Sequence, residues 1–342
     1  MKKRNSKKIN LWSCPDESLG SFNNKVAVAL SGGVDSAVSA LILKNKGFDV
    51  TAVFMKLNKF SKEDGARNLA KEIGIPFKVI DLRKQFKEEI INYFIEEYKA
   101  GNTPNPCALC NQKIKFGIFL KELDTDFIAT GHYAKVKDGH LYKAKDSKKD
   151  QSYFLWKLNP KTLKKVIFPL SNYTKEAVKK IAKENNLSIN EKESQEVCFI
   201  TEANNGFLKK YIKEEKGDIV DKEGRTIGEH NGVWFYTIGQ RRGIGLSGGP
   251  YWVIDKDVKR NRLIVSLEEK DLLSREVSFK NANWFRKDIK RVKAKIRYGH
   301  KGAFGVLDNN KFTFDRPQKA ITKGQSIVFY NKSEVIGGGI IK

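Results

Sequence analysis

The stretch Val26-Ala-Val-Ala-Leu-Ser-Gly-Gly-Val-Asp-Ser36 decides the fold. Residues 26–30 form an unbroken apolar run, the pattern of a strand buried on both faces of a parallel sheet. The run passes through Ser31-Gly-Gly-Val-Asp-Ser36 into a nearly all-apolar helix, residues 37–43, closed by Gly47. Gly32 and Gly33 let the backbone approach an anion closely. Ser31, Ser36 and the free amides at the helix start can cradle phosphate oxygens. The loop is not a Walker loop, because the Gly-Lys-Ser/Thr ending is missing. Asp35 has no place against bare phosphate, so Mg2+ or a hydroxyl partner is expected beside it.

Working outward, strand and helix patterns alternate. Residues 50–56 read as a second strand. A helix over 63–73 carries Ala66, Leu69, Ala70 and Ile73 on one face, and a third strand spans 76–82. A longer helix over 84–100 places Ile90, Ile91, Phe94, Ile95 and Tyr98 at helical spacing. This alternation predicts an α/β fold with a parallel, doubly wound sheet, whose ligands bind beyond the carboxyl ends of the strands. Residues 101–111, rich in proline and asparagine, read as a fixed non-regular loop that presents Cys107 and Cys110 before a helix over 113–123. A strand over 127–130 leads to Gly131-His132-Tyr133, and Asp138-Gly139 predicts a hairpin turn. Residues 174–185 read as a helix, and Cys198 lies in an apolar, strand-like run over 193–200.

From about Gly217 the pattern changes to short alternating runs between glycine turns, so β structure is expected to the end of the chain. A break near Ser274 divides it. The expected organisation is a mobile leader over 1–23, a catalytic domain over 24–210, a central domain over 211–274 and a C-terminal module over 275–342.

The formal charge of +25 over 342 residues suggests a polyanionic partner, most simply nucleic acid, although solvated lysine-rich faces account for part of such an excess. The basic N-terminus has no apolar run behind it, and no stretch is long enough to cross a membrane. Four cysteines do not make a disulfide scaffold, so a reducing cytoplasm is expected. Residues 276–342 hold 15 Lys+Arg against 5 Asp+Glu, as a small RNA-facing β-barrel would.

The Ser31–Ser36 loop resembles the pyrophosphate loop of the N-type ATP pyrophosphatases, which split ATP to AMP and pyrophosphate while adenylating a carbonyl or urea-type oxygen. An adenylated oxygen is a good leaving group, and cysteine sulfur is a natural attacker. The resemblance then extends to the bacterial tRNA 2-thiouridylases. It is carried by Thr103-Pro-Asn-Pro-Cys-Ala-Leu-Cys-Asn111, Gly131-His-Tyr133, Lys149-Asp-Gln-Ser-Tyr-Phe154, Ser194-Gln-Glu-Val-Cys-Phe-Ile200 and Tyr236-Thr-Ile-Gly-Gln-Arg-Arg-Gly243. Gly324-Gln-Ser326 and Gly337-Gly-Gly339 belong to the same set. The likeness runs in order from about residue 24 to the C-terminus. It implies a parallel-sheet catalytic domain like the adenine-nucleotide alpha hydrolases, a small central β-rich domain and a C-terminal tRNA-binding β-barrel.

By that resemblance, Ala29, Leu30, Ser31, Gly32, Gly33, Val34, Asp35 and Ser36 hold the phosphates of ATP, with Mg2+, and Met55 and Gly131 contact the nucleotide. Cys110 matches the nucleophile and Cys198 the persulfide carrier. Asn105, Pro106 and Cys107 match the stretch that meets the target base. His132, Lys149, Asp150, Gln151, Arg297, Tyr298 and Gln325 match tRNA-contact positions. The implied substrates are the tRNAs for Lys, Glu and Gln, thiolated at the wobble uridine. The implied partner is a cysteine desulfurase or a sulfur-relay protein.

Some members of the family carry an aspartate where Cys107 stands. The Cys107–Cys110 pair with Cys198 also permits an iron–sulfur cluster with three protein ligands. An amide-forming ATP pyrophosphatase and a non-catalytic RNA-binding protein remain as alternatives. The first needs no cysteine pair, and the second needs no intact phosphate loop.

Overall fold

The structure, a computed structural model, describes residues 24–188, 198–200 and 204–342. The leader expected over 1–23, and residues 193–197 of the expected strand before Cys198, lie outside the described residues.

The first seven strands are β1 (Lys25–Ala29), β2 (Asp49–Lys56), β3 (Phe77–Asp81), β4 (Phe127–Ala129), β5 (Ala134–Lys137), β6 (His140–Lys143) and β7 (Val166–Ile167). Five of them form a parallel sheet in the order β3-β2-β1-β4-β7. The unbroken apolar character of β1 has a direct cause. Val26, Val28 and Leu30 enter a core shared with α1 (Val34–Asn45), α2 (Asp64–Ile73) and the helix Lys175–Glu184. Ala27 and Ala29 face a second core built with Phe86, Ile90, Phe94, Ile114 and Phe119. Both faces of the sheet are covered, as a doubly wound sheet requires.

Two local expectations are corrected. The stretch bearing the first two cysteines is helical, not an irregular loop. Pro106 occupies the first helical position, where its missing N–H costs nothing, and the Asn105 side chain accepts a hydrogen bond from Ala108 N at 3.4 Å. The helix Pro106–Cys110 continues as a π-helix over Asn111–Ile118 and ends in Phe119–Lys121. The proline and asparagines therefore start a helix here rather than break one. Second, Cys198 and Phe199 lie in a turn, not in a strand.

A four-stranded sheet follows, from β8 (Gly217–Val220), β9 (Thr226–His230), β10 (Trp252–Asp257) and β11 (Arg262–Ser266), in the order β10-β11-β8-β9. Its core is Ile219, Val233, Ile244, Val253, Leu263 and Val265. The last six strands are β12 (Leu273–Trp284), β13 (Arg291–Lys295), β14 (Ala303–Asp308), β15 (Lys311–Lys319), β16 (Ser326–Asn331) and β17 (Glu334–Ile341). They close into a barrel through antiparallel pairing of β12 with both β15 and β17, around Phe279, Phe312, Phe314 and Phe329. The break expected near Ser274 falls at the first residues of β12. The hairpin β5–β6 turns at Asp138-Gly139 as expected, but it leaves the first domain. β6 pairs with β17 through Leu141 and Val335, so it extends the barrel's sheet. Among the described residues, no helix is long and apolar enough to cross a membrane.

Candidate active site

The Ser31–Ser36 loop leaves the carboxyl end of β1 and is held in shape by its own hydroxyls. Ser36 Oγ donates to Gly33 O at 2.9 Å and accepts from Ser31 N at 3.1 Å, and the two seryl oxygens lie 3.1 Å apart. Gly32 has φ +87°, a conformation that L side chains rarely adopt. Val34 opens α1, whose first amides have no acceptor within the helix and point to where an anion would sit. These features fit the triphosphate of ATP.

Gly131 packs directly on this loop. A Cβ there would lie 2.8 Å from Asp35 C and from Ser36 N. Ala29 pairs with Val53, so Met55 stands two residues further along β2, at the same carboxyl edge and partly buried.

The hydroxyl partner expected for Asp35 is present: Tyr133 OH donates to Asp35 Oδ1 at 2.8 Å. The sequence reading missed a second partner. Lys175 Nζ reaches both carboxylate oxygens, at 2.8 and 2.7 Å, from a buried position at the start of the helix Lys175–Glu184. The only local signal was a lysine next to the cap residue Thr174. The Asp35 carboxylate is thus paired from two later segments of the chain.

The three described cysteines are free thiols. Cys107 is half-buried, Cys110 is buried and Cys198 is exposed. Phe199, next to Cys198, is anchored edge-on against Phe86 at 5.7 Å and Phe94 at 5.3 Å. The three sulfurs are near enough to influence one another: ionisation of Cys198 disfavours ionisation of Cys107 and of Cys110. Burial pushes the Cys107 thiol up to about 11 and the Cys110 thiol up to about 12. The Cys198 thiol is raised too, by the protein around it, although it reaches solvent. Lys115 opposes the rise at all three. Among the described residues, no group of three or more His, Cys, Asp or Glu side chains is placed to hold a metal ion.

His132 borders the same region. Its Nδ1 lies 2.7 Å from Thr130 Oγ1, and its ring sits between Phe116 and Phe168 at 6.1 and 6.0 Å. Burial, then the charge of Lys115, holds it neutral, well below the ordinary histidine value.

The barrel grips the segment that enters the cysteine helix. Gln325 Nε2 donates to Thr103 O at 2.8 Å and to Pro104 O at 3.4 Å, and Thr103 N donates to Lys323 O at 2.8 Å. Asn105 Nδ2 donates to Ser326 Oγ at 3.4 Å, and Thr103 Oγ1 lies 3.3 Å from Thr237 Oγ1 of the central domain. Three domains therefore meet behind Cys107 and Cys110.

The tRNA-contact positions implied by resemblance divide in two. Asp150 is buried, accepting from Ala144 N, Ser152 N and Ser152 Oγ, and Gln151 pairs with the backbone of Tyr133. These two shape the loop from inside. Tyr298 is exposed, its ring 4.6 Å from Phe154, with Lys295 Nζ 5.7 Å from its centroid. Arg297 holds Lys319 O at 3.1 Å, and the charge of Lys149 is felt by Tyr298. Lys143 and Lys293 extend this basic and aromatic surface and went unnoticed in the sequence.

A parallel sheet with such a loop at its carboxyl edge defines a nucleotide-binding α/β domain of the PP-loop class. Family models agree. "tRNA methyl transferase HUP domain" matches residues 24–202, "tRNA methyl transferase PRC-barrel domain" matches 205–267 and "Aminomethyltransferase beta-barrel domain" matches 274–341. The chain is 43% identical to the tRNA-specific 2-thiouridylase MnmA 1 of Clostridium botulinum (strain Okra / Type B1), over 93% of this chain and 98% of that one. It is 40% identical to the tRNA-specific 2-thiouridylase MnmA of Clostridium acetobutylicum, over 94% of this chain and 100% of that one. Among solved structures, a 4-thiouridine synthetase–RNA complex with bound ATP matches 48% of this chain and 41% of that one, at 17% identity and a TM-score of 0.33. The chain belongs to the tRNA-specific 2-thiouridylase family of PP-loop enzymes, which are tRNA-uridine 2-sulfurtransferases.

Proposed function

We propose that this protein thiolates position 2 of the wobble uridine in the tRNAs for Lys, Glu and Gln, consuming ATP. The observation that carries the reading is the joining, in one domain, of a phosphate loop and three mutually interacting thiols. Full-length identity of 40 to 43% to 2-thiouridylases supports it.

The target uracil leaves its stack to reach the site. Asn105, Pro106 and Cys107 meet it, while His132, Lys149, Arg297 and Tyr298 hold the surrounding tRNA. The uracil O2 attacks the α-phosphorus of ATP and pyrophosphate leaves, with its phosphates against Ser31 to Ser36. Mg2+ carried by the nucleotide would supply further charge for that departure, and Ser31, Ser36 and the amides of α1 bind the same oxygens. N3 gives up its proton in this step.

A cysteine desulfurase, directly or through a relay protein, has by then loaded a persulfide on Cys198. Its terminal sulfur attacks C2 and AMP leaves. The Cys110 thiolate attacks the Cys198 sulfur, and the sulfur left on the base becomes 2-thiouridine once N3 regains a proton. A Cys110–Cys198 disulfide remains, and an external thiol returns it to two thiols.

The test supplies purified enzyme with ATP, a persulfide source and unmodified tRNA. The expected outcome is AMP release with one 2-thiouridine per tRNA, read by nucleoside mass spectrometry and abolished by Cys198→Ser. No AMP and no sulfur in the anticodon would overturn the proposal. Iron and labile-sulfide analysis of protein purified without oxygen decides between catalytic thiols and a cluster held by Cys107, Cys110 and Cys198.

A further inference from the structure

The helix that carries Cys107 and Cys110 changes its hydrogen-bonding pattern just after Cys110. Asn111–Ile118 is π-helical. In an α-helix the residue five positions on is turned about 140° from the starting residue. Bonding of the i→i+5 type brings that residue back to the same side. Lys115 stands five positions after Cys110, so the π segment returns it to the side of the Cys110 sulfur.

The next lysine on the helix behaves differently. Lys113 is exposed and lies 3.6 Å from Glu89. Lys115 is half-buried, and among the described residues no carboxylate pairs with it. The titratable groups that feel its charge are Cys107 and Cys110 on its own helix run, His132 after β4, and Cys198. Its neighbour Phe116 packs against His132 and fixes the register of this side of the helix. A half-buried cation on the Cys110 side of the helix, with no carboxylate paired to it among the described residues, is incompletely compensated until an anion arrives.

We propose that Lys115 is a catalytic residue beside the three thiols, pairing with the sulfur anion at each step of sulfur transfer. The proposal rests on the sulfur-transfer reading above and adds an order to it. One cation supports one sulfur anion at a time. The persulfide anion on Cys198 pairs with Lys115 first. When its terminal sulfur bonds to C2 and AMP departs with the displaced electron pair, that anion is consumed. Cys110 can then lose its proton to solvent and pair with Lys115, ready to attack the Cys198 sulfur. The disulfide that forms is neutral, and the external thiol already required for turnover reduces it.

The experiment measures iodoacetamide alkylation of Cys110 and Cys198 against pH, by peptide mass spectrometry, without ATP, tRNA or sulfur donor. Lys115→Met is expected to lower the alkylation rate about tenfold at pH 8, the equivalent of one unit in thiol acidity. Lys115→Arg is expected to restore most of it. Single-turnover sulfur transfer from preloaded Cys198 persulfide should fall at least as far in Lys115→Met, with KM for ATP and affinity for tRNA unchanged. Lys115→Gln takes the place of Lys115→Met if that variant does not fold. An alkylation profile indifferent to the charge at position 115 overturns the proposal. Because no tRNA is present, that result is separate from any failure of the wild-type protein to thiolate tRNA.

Discussion

Lys175 Nζ bridges both oxygens of the Asp35 carboxylate, at 2.8 and 2.7 Å, inside the first turn of the helix that follows the phosphate loop. The lysine is buried and comes from a helix 140 residues later in the chain. A free carboxylate at that place would repel the phosphates that the amides of α1 attract. The pairing cancels the repulsion, and Tyr133 OH fixes the carboxylate's orientation.

Lys175→Met should therefore damage both stability and nucleotide binding. Leaving one partner of a buried pair unpaired costs about 3–5 kcal/mol, less here because Asp35 keeps some solvent contact. The melting temperature should fall, and KM for ATP should rise about tenfold or more. Adding Asp35→Asn to Lys175→Met should recover part of the stability, since no uncompensated charge then remains. A double-mutant cycle of thermal melts measures the coupling. Strict additivity would show that the two groups do not act as a pair.

Gly131 makes a sharper steric prediction. The 2.8 Å approach of a Cβ to Asp35 C and Ser36 N leaves no flexible atom to move aside. Gly131→Ala should shift the start of α1, cost about 1–3 kcal/mol and weaken ATP binding more than tRNA binding. Calorimetric titration with a non-hydrolysable ATP analogue, beside a tRNA binding curve, checks the distinction.

Much of this architecture was legible in the sequence because its signals are local. The strand–loop–helix at 26–43 carries its own apolar pattern, and the Asp138-Gly139 turn carries its own chemistry. The missed features are long-range or depend on small energy differences. Lys175 was an ordinary lysine until the fold set it against Asp35. Pro106 read as a loop former, yet Asn105 and Pro106 together start a helix. The hairpin β5–β6 belongs to a barrel whose other strands lie more than 100 residues away, a pairing no local periodicity encodes. Of the site, the residue types were visible, but not that burial raises the thiols instead of activating them.

Gln325 offers a test of which role its amide serves. Resemblance places it at tRNA, but its Nε2 is spent on the carbonyls of Thr103 and Pro104, just ahead of the cysteine helix. Gln325→Ala should lower kcat by about ten- to a hundredfold through a misplaced helix, with tRNA affinity within about twofold of wild type. Gln325→Glu should be worse, because a carboxylate would face two carbonyl oxygens. Steady-state kinetics with filter binding separates the cases. A rise in the tRNA Kd with kcat intact would return Gln325 to the RNA-contact group.

His132 links the site to pH. Its ordinary value is 6.5, and burial together with the Lys115 charge depresses it well below that in the folded state. In the unfolded chain the imidazole takes up a proton as pH falls through 6.5, while the folded protein still holds it neutral. Its contribution to stability is therefore complete above pH 6.5 and is lost as pH falls toward the folded value, at up to about 1.4 kcal/mol per pH unit. His132→Gln removes this titration together with the ring packing against Phe116 and Phe168. At pH 7.5 the variant should be less stable by about 1–2 kcal/mol, from the lost hydrogen bond and contacts. Below pH 6.5 the wild type alone should decline through this group, so the gap in melting temperature should narrow and then close. A gap that stays constant from pH 7.5 to 5 would mean that His132 takes up its proton as readily in the folded protein as in the unfolded chain.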